Sequence, residues 1–193
     1  MDLYKKAITG FAALGLMAFA SFSQAAIISL DPSPVEGELF DSVFVDLVYD
    51  GTGATPEYIG GWDLDLSFDD SILSFVDVTL DPDFGLLGGV GLATDFGGGL
   101  VNLFDLSLLG SAALMGSQDL LGNMFVLATL EFTAIGLGDT SLSLFGNAFS
   151  DADGIATTPQ LVDSRATVVP EPGILPLMAL SLLAMVVARR RRR

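Results

Sequence analysis

The chain has 193 residues with 24 acidic against 8 basic side chains, a formal charge of 8 − 24 = −16, and contains neither His nor Cys. The missing imidazole and thiol exclude Ser-His-Asp and Cys-His catalysis, thiolate zinc sites and a disulfide framework. The acidic balance excludes an electrostatic grip on nucleic acid, which needs a basic face.

Charge divides the chain into three pieces. Residues 1–25 carry Lys5, Lys6 and Asp2 (+1), residues 26–169 carry 22 acids and Arg165 alone (1 − 22 = −21), and residues 170–193 carry five Arg and Glu171 (+4). The first piece opens with Lys5 and Lys6. It continues through an apolar run from Ala7 to Ala20 and ends in Ser23-Gln24-Ala25, with small residues at the −3 and −1 positions of a cleavage site. That layout predicts a secretory signal peptide cut after Ala25; an uncleaved anchor is the weaker alternative because the run is short for a span. Export without reliance on disulfides follows.

The middle piece alternates with period two. Ile27 to Leu30 reads as an opening strand and Val43 to Tyr49 as the next. In Trp62 to Phe68, Trp62, Leu64, Leu66 and Phe68 take one face, and Asp63, Asp65 and Ser67 the other, the mark of a strand with one face buried and one wet. Asp69-Asp70-Ser71 is a polar turn into Leu73 to Thr79. Asp81 to Gly99 is the longest irregular stretch, Gly-rich and apolar together, and predicts a long loop or a loosely made hairpin. Leu100 to Leu108 is a strand, and Ala112 to Leu121 a short helix. Phe125 to Ala134 is a strand with Val126, Ala128, Leu130 and Phe132 on its core face. Thr140 to Phe145 and Arg165 to Val169 complete the set. About eight short strands without a sustained 3.6 period predict an all-β fold, an antiparallel sandwich or jelly roll with one core.

The last piece reads Pro170-Glu171-Pro172, sixteen apolar or small residues from Gly173 to Ala188, and Arg189, Arg190, Arg191, Arg192 and Arg193. Sixteen helical residues reach about 24 Å, short of a bilayer core unless the arginines snorkel. The positive-inside rule keeps the arginines cytoplasmic and the acidic body outside. An ordinary C-terminal anchor would have the same layout.

Candidate chemistry in the body rests on carboxylates. Asp69-Asp70, Asp81/Asp83 and Asp151/Asp153 lie in Gly- or Pro-bearing turns, where calcium would find oxygen ligands. Asp151-Ala152-Asp153-Gly154 echoes the start of an EF-hand loop, but Ile155 stands where the third acid belongs and Val162 where the closing Glu belongs. Solvated turn aspartates are the competing reading. Calcium would also bridge the −21 body to an anionic polysaccharide. Nothing among Glu36, Glu38, Glu57, Glu131 and the 18 Asp marks an acid/base pair, so a carboxylate-pair carbohydrate-active enzyme is an alternative and not the expectation, and a purely structural matrix protein is another. Trp62 shares a face with Leu64, Leu66 and Phe68 and is expected in the core. Tyr58, beside Glu57 and Gly60, is the better sugar-contact candidate. Gly97-Gly98-Gly99 has no GK[ST] after it and is no phosphate loop.

Two resemblances follow. Val169-Pro170-Glu171-Pro172, the short Leu/Ala/Met segment and the terminal Arg cluster resemble the PEP-CTERM sorting signal. That resemblance implies recognition by an exosortase, a membrane-embedded cysteine protease or transpeptidase of Gram-negative bacteria that make exopolysaccharide, biofilm or floc matrix. It makes Pro170, Glu171 and Pro172 recognition residues for that enzyme. It implies a transient association with the inner membrane, then a place on the cell surface or in the extracellular matrix. Gly61 to Phe75, Leu127 to Ala134 and Asn147 to Gly154 resemble cohesin domains. That implies a nine-stranded jelly roll related to carbohydrate-binding modules, and a protein partner or polysaccharide as ligand. Neither dockerin nor scaffold repeats accompany it, so the family's partner face is not transferred.

Overall fold

The computed structural model describes residues 25–32, 35–53, 55–80 and 89–170. The signal segment before Ala25, Asp81 and Asp83, Glu171 and Pro172, the apolar run 173–188 and Arg189 to Arg193 lie outside the described residues. Among the described residues, no helix is long and apolar enough to cross a membrane, which says nothing of a β-barrel.

Among the described residues, eleven strands and one helix follow in order: β1 (Ile27–Asp31), β2 (Val35–Glu38), β3 (Ser42–Asp50), β4 (Gly61–Ser67), β5 (Leu73–Leu80), β6 (Leu92–Asp95), β7 (Leu100–Leu106), α1 (Ser111–Leu120), β8 (Met124–Ala134), β9 (Gly138–Ser150), β10 (Gln160–Val162) and β11 (Ser164–Val169). They form two sheets, β10-β1-β3-β8-β5 and β2-β11-β9-β4-β7-β6. The predicted all-β sandwich is the observed architecture. Pairing is antiparallel except where β1 meets β10 and β2 meets β11. The first and last passes of the chain each cross from one sheet to the other, β1 into β2 and β10 into β11. Counting each crossing pass once, 11 − 2 = 9 strands remain, the number the cohesin resemblance implies.

Period-two alternation selects the core. Trp62, Leu64 and Leu66 are at most 1 % exposed, while Asp63, Asp65 and Ser67 between them stay partly open. Phe132 is buried between Phe68 and Phe75, both edge-on at ring-centroid distances of 5.1 and 5.9 Å. Each such large side chain contributes roughly 1.5–3 kcal/mol on burial. One expectation fails. Val126 lies half-exposed, because a bulge against Leu47/Val48 leaves Leu127 without a partner and reverses the facing. Phe125 instead turns inward onto Tyr49, with centroids 5.4 Å apart.

The three strands the sequence reading lacks are short. β2 and β10 have four and three residues, too few to show a period. β6 sits inside the predicted Gly-rich stretch and pairs with β7 as a hairpin. Gly97, Gly98 and Gly99 at its tip all have φ between +64° and +75°, backbone that only Gly adopts freely. The turn closes through Gly97 N–H to Asp95 Oδ1 at 2.7 Å and Phe96 N–H to Leu100 O at 3.0 Å.

Register places the two ends of the body at opposite poles. Ile27 lies beside Asp50 and Gln160. Val169 lies beside Glu38, with Leu39 N–H donating to its carbonyl at 3.1 Å. β3, nine residues long, spans about 30 Å between the poles.

Candidate functional site

Three loops and a helix meet at the pole where the body begins. Leu114 and Gln118, four apart on α1 and so on one face, are its buried residues. Gln118 is 0 % exposed. Its Oε1 accepts from Ile59 N–H at 3.0 Å and its Nε2 donates to Ile59 O at 2.7 Å. This two-point clasp satisfies a buried peptide group and fixes the 51–60 loop. Gly60 donates to Ser150 O at 2.8 Å. A Cβ at Gly60 would run into the Asp151 carbonyl, so the β3–β4 loop can approach the β9–β10 loop only as glycine.

A cleft of about 310 Å³ opens between these segments, with Tyr49, Glu57, Tyr58, Met115, Asp151 and Thr157 in its wall. The Tyr58 hydroxyl donates to Asp119 Oδ1 at 3.0 Å. That bond, more than desolvation, holds the Tyr58 phenol above its ordinary range. The buried Tyr49 phenol is raised by desolvation first and then by the Glu57 and Asp50 charges. Glu57 Oε2 accepts from the Ala26 N–H at 3.0 Å. Tyr58 and Asp151, two residues singled out separately in the sequence, thus share one cleft.

The remaining candidates separate. Asp151 Oδ1 accepts from the N–H groups of Asp153 and Ile155, both at 2.9 Å. Asp153 Oδ1 accepts from the Ser111 hydroxyl. Asp69 and Asp70 lie at the opposite pole, exposed. Asp69 Oδ1 accepts from Ser71 N–H at 2.9 Å and from its hydroxyl at 2.6 Å, bonds that lower its pKa. Asp69 and Asp151 each serve the backbone of their own turn. Among the described residues no three carboxylates converge as a metal cluster. Glu57 and Asp151 share the cleft, yet one oxygen of each is already bonded to backbone, which is poor preparation for an acid/base pair.

Asp105 is a further buried carboxylate, 2 % exposed. It lies opposite Trp62 in the β4–β7 register. Its Oδ1 accepts from Leu106 N–H at 2.7 Å. Desolvation raises its pKa against that bond. Gly89 and Gly91 cover it so closely that a Cβ at Gly89 would lie 2.7 Å from Oδ1. It therefore has no open path to a ligand.

The second candidate surface is the outer face of β9-β4-β7-β6. Asn102 Nδ2 donates to Asp63 Oδ1 at 2.7 Å and to Asp65 Oδ1 at 2.8 Å, and Asn147 Nδ2 donates to Asp63 Oδ1 at 3.0 Å. Asn147 reaches Asp63 because a bulge in β9 leaves it unpaired against β4. Register sets Phe145 beside Asp65, and Leu92 beside Phe104. Phe145 and Leu92 are 54 % and 63 % exposed. The face is therefore a polar, acidic centre between two apolar flanks. The sequence marked only its Asp63-Asp65-Ser67 row. The amides and flanks sit on other strands, and only cross-strand register unites them.

Comparisons with known proteins agree with both ends of this description. The PEP-CTERM protein-sorting motif matches residues 168–193. No curated protein matches the chain. Solved structures match the body. The sixth cohesin of Acetivibrio cellulolyticus scaffoldin B, solved in complex with a Cel5 dockerin mutant, aligns with a TM-score of 0.61 at 16 % identity over 75 % of this chain and 99 % of that one. The cohesin module of a Clostridium perfringens family 33 glycoside hydrolase aligns at 0.59 and 11 % over 77 % and 100 %. A non-cellulosomal cohesin of the archaeon Archaeoglobus fulgidus aligns at 0.57 and 14 % over 75 % and 91 %. At such identities the likeness is one of fold. The chain carries a PEP-CTERM motif behind a cohesin-like β-sandwich.

Proposed function

We propose that this is an exported, exosortase-sorted surface protein whose body, residues 26–169, is a non-catalytic protein-binding module. On this reading residues 1–25 are the signal peptide, and residues 170–193 are read by the exosortase at Pro170, Glu171 and Pro172 and then removed or exchanged. Arg189 to Arg193 hold the precursor's topology until then, and the mature protein stands on the cell surface or in an exopolysaccharide matrix. The carrying observation is the outer face of β9-β4-β7-β6, where Phe145 and Leu92 stand exposed around the Asp63–Asn102–Asp65 network. Apolar anchors around a satisfied polar centre suit a protein surface. A body of 22 acids and one base selects a partner with basic groups opposite Asp63 and Asp65. The cohesin relatives solved with dockerins support a protein partner by fold.

A polysaccharide in the cleft is the second reading. It is favoured by Tyr58, whose ring is held at the cleft wall by Asp119. Calcium on this reading bridges acidic body and anionic glycan. Photo-crosslinking in intact cells from Ser143, on the sheet face, and from Thr157, in the cleft, separates the two. Protein adducts at Ser143, whose purified partner binds roughly tenfold more weakly to Phe145→Ala and more weakly in salt, support the main reading. Calcium-dependent glycan adducts at Thr157 that vanish in Tyr58→Ala, with none at Ser143, refute it.

A further inference from the structure

Cleavage after Ala25 changes the chemistry of the next residue, and the fold has a group waiting for it. Water adds across the Ala25–Ala26 peptide bond, leaving a carboxylate on Ala25 and an α-ammonium on Ala26. Ala25 is exposed, whereas Ala26 is 4 % exposed and its nitrogen lies 3.0 Å from Glu57 Oε2. Ala26 is also held through its carbonyl, which accepts from Gln160 N–H at 2.7 Å. Its nitrogen is therefore fixed against the carboxylate by the β1–β10 pairing and not by chance approach.

We propose that Glu57 is the receptor for the chain's own new N-terminus: signal-peptide removal turns a neutral amide contact into an ion pair that locks β1 into the sandwich. The inference rests on the export reading above. In the precursor the Ala26 nitrogen is a single neutral donor. In the mature protein it is a cation with three, and the bond, already assisted by the carboxylate's charge, gains a direct attraction between unlike charges at the same distance.

The ionisable groups around the nitrogen favour the cation and offset the cost of its burial. Glu57 comes from the β3–β4 loop, the Tyr49 phenol and Asp50 from β3, and Asp151 from the β9–β10 loop. Among the described residues, no Lys or Arg lines the cleft. Arg165 pairs with Asp139 on β11 and β9 instead. The α-ammonium is thus the second formal positive charge of a body with 22 acids. Glu57 is itself placed by its N–H to Gly51 O at 3.0 Å, and a Cβ at Gly51 would strike the Glu57 carbonyl.

The linkage has a definite sign. A folded α-amino group beside a carboxylate titrates above its ordinary range of about 7.7–8.0. The stabilisation is complete below that range and is lost as pH rises through the raised folded value.

The test exports four forms from their own signal peptide: the natural chain, one with Gly-Ser inserted after Ala25, Glu57→Gln, and the combination. Intact mass and N-terminal sequencing come first and must place Ala26 at the N-terminus of the natural form. The α-amino group is then titrated by pH-dependent amine labelling, and melting is followed from pH 6 to pH 10. The expected result is an α-amino group that labels late in the natural form and at ordinary pH in Glu57→Gln. The insertion and Glu57→Gln should each lower Tm by about 3–5 °C at pH 7, with no further loss in the combination, and the differences should close toward pH 10. A different N-terminus overturns the cleavage point together with this inference. Ala26 at the N-terminus with an ordinary α-amino titration overturns this inference alone, leaving export and sorting untouched.

Discussion

Replacing Gln118 by Met keeps the volume of the side chain and removes both of its bonds. In the folded protein, Gln118 and Ile59 are 0 % and 1 % exposed, so the Ile59 N–H and C=O would lose their partners where water does not reach. Each buried group left unsatisfied costs roughly 1–3 kcal/mol, and two together make about 2–6 kcal/mol. At about 3 °C per kcal/mol for a body of this size, Tm should fall by about 6–18 °C. Gln118→Glu keeps the acceptor for Ile59 N–H but sets a carboxylate against the Ile59 carbonyl, so it should be no better. The assay is urea denaturation of the exported protein with melting curves alongside. The Tyr58 hydroxyl should lose its hold on Asp119 in the same variants, seen as a phenol that titrates nearer its ordinary range. A loss below about 0.5 kcal/mol, with Tyr58 titration unchanged, would refute the argument that this clasp carries the cleft.

Asp105→Asn should raise Tm at pH 7. Burial lifts the carboxyl of Asp105, so it stabilises the folded state below its unfolded value near 3.9 and progressively less as pH rises through the raised folded value. The natural protein should accordingly gain from this group on acidification from pH 7, and the Asn variant should lack that gain in a pH series of melts. Gly60→Ala should destabilise by about 1–3 kcal/mol, since the added methyl meets backbone at Asp151 and neither loop can yield freely; denaturant midpoints measure it, and a neutral result would show that the loops are separable. Intact mass of the surface protein should show loss of the chain beyond about Val169, the last residue of β11, and retention of Arg193 on surface-exposed protein would overturn the sorting reading.

Strands long enough to repeat their period were legible. Trp62 to Phe68 announced one buried and one wet face, and both are observed. Trp62 was expected in the core and is there. Val126 was misplaced because a bulge is a property of two strands, and Leu127 is extra only relative to Leu47 and Val48 on the partner. Tyr58 and Asp151 were each visible, yet nothing in the chain order, 93 positions apart, says that they share a cleft. Gln118 carried a faint signal as an amide that, with Asp119, interrupts a small and apolar helical segment. Asn102 and Asn147 carried none, since an asparagine in a strand has no sequence mark until an aspartate lies opposite.

What the sequence determined by itself is whatever physics acts along the chain. That includes the basic and apolar ends, with the sorting motif in the last of them, the −21 body between them, and the alternation that makes strands and selects their inner face. What only the tertiary structure decided is whatever depends on register across strands. It joined β1 to β10 and β2 to β11, setting Ala26 and Val169 at opposite poles. It brought Leu92 and Phe145 to the flanks of one polar face, and it laid the Ala26 nitrogen on Glu57. Hydropathy is a property of each residue and survives in one dimension. Hydrogen-bond partners and exposed patches belong to pairs distant in sequence, and they come into being only when the sheets close.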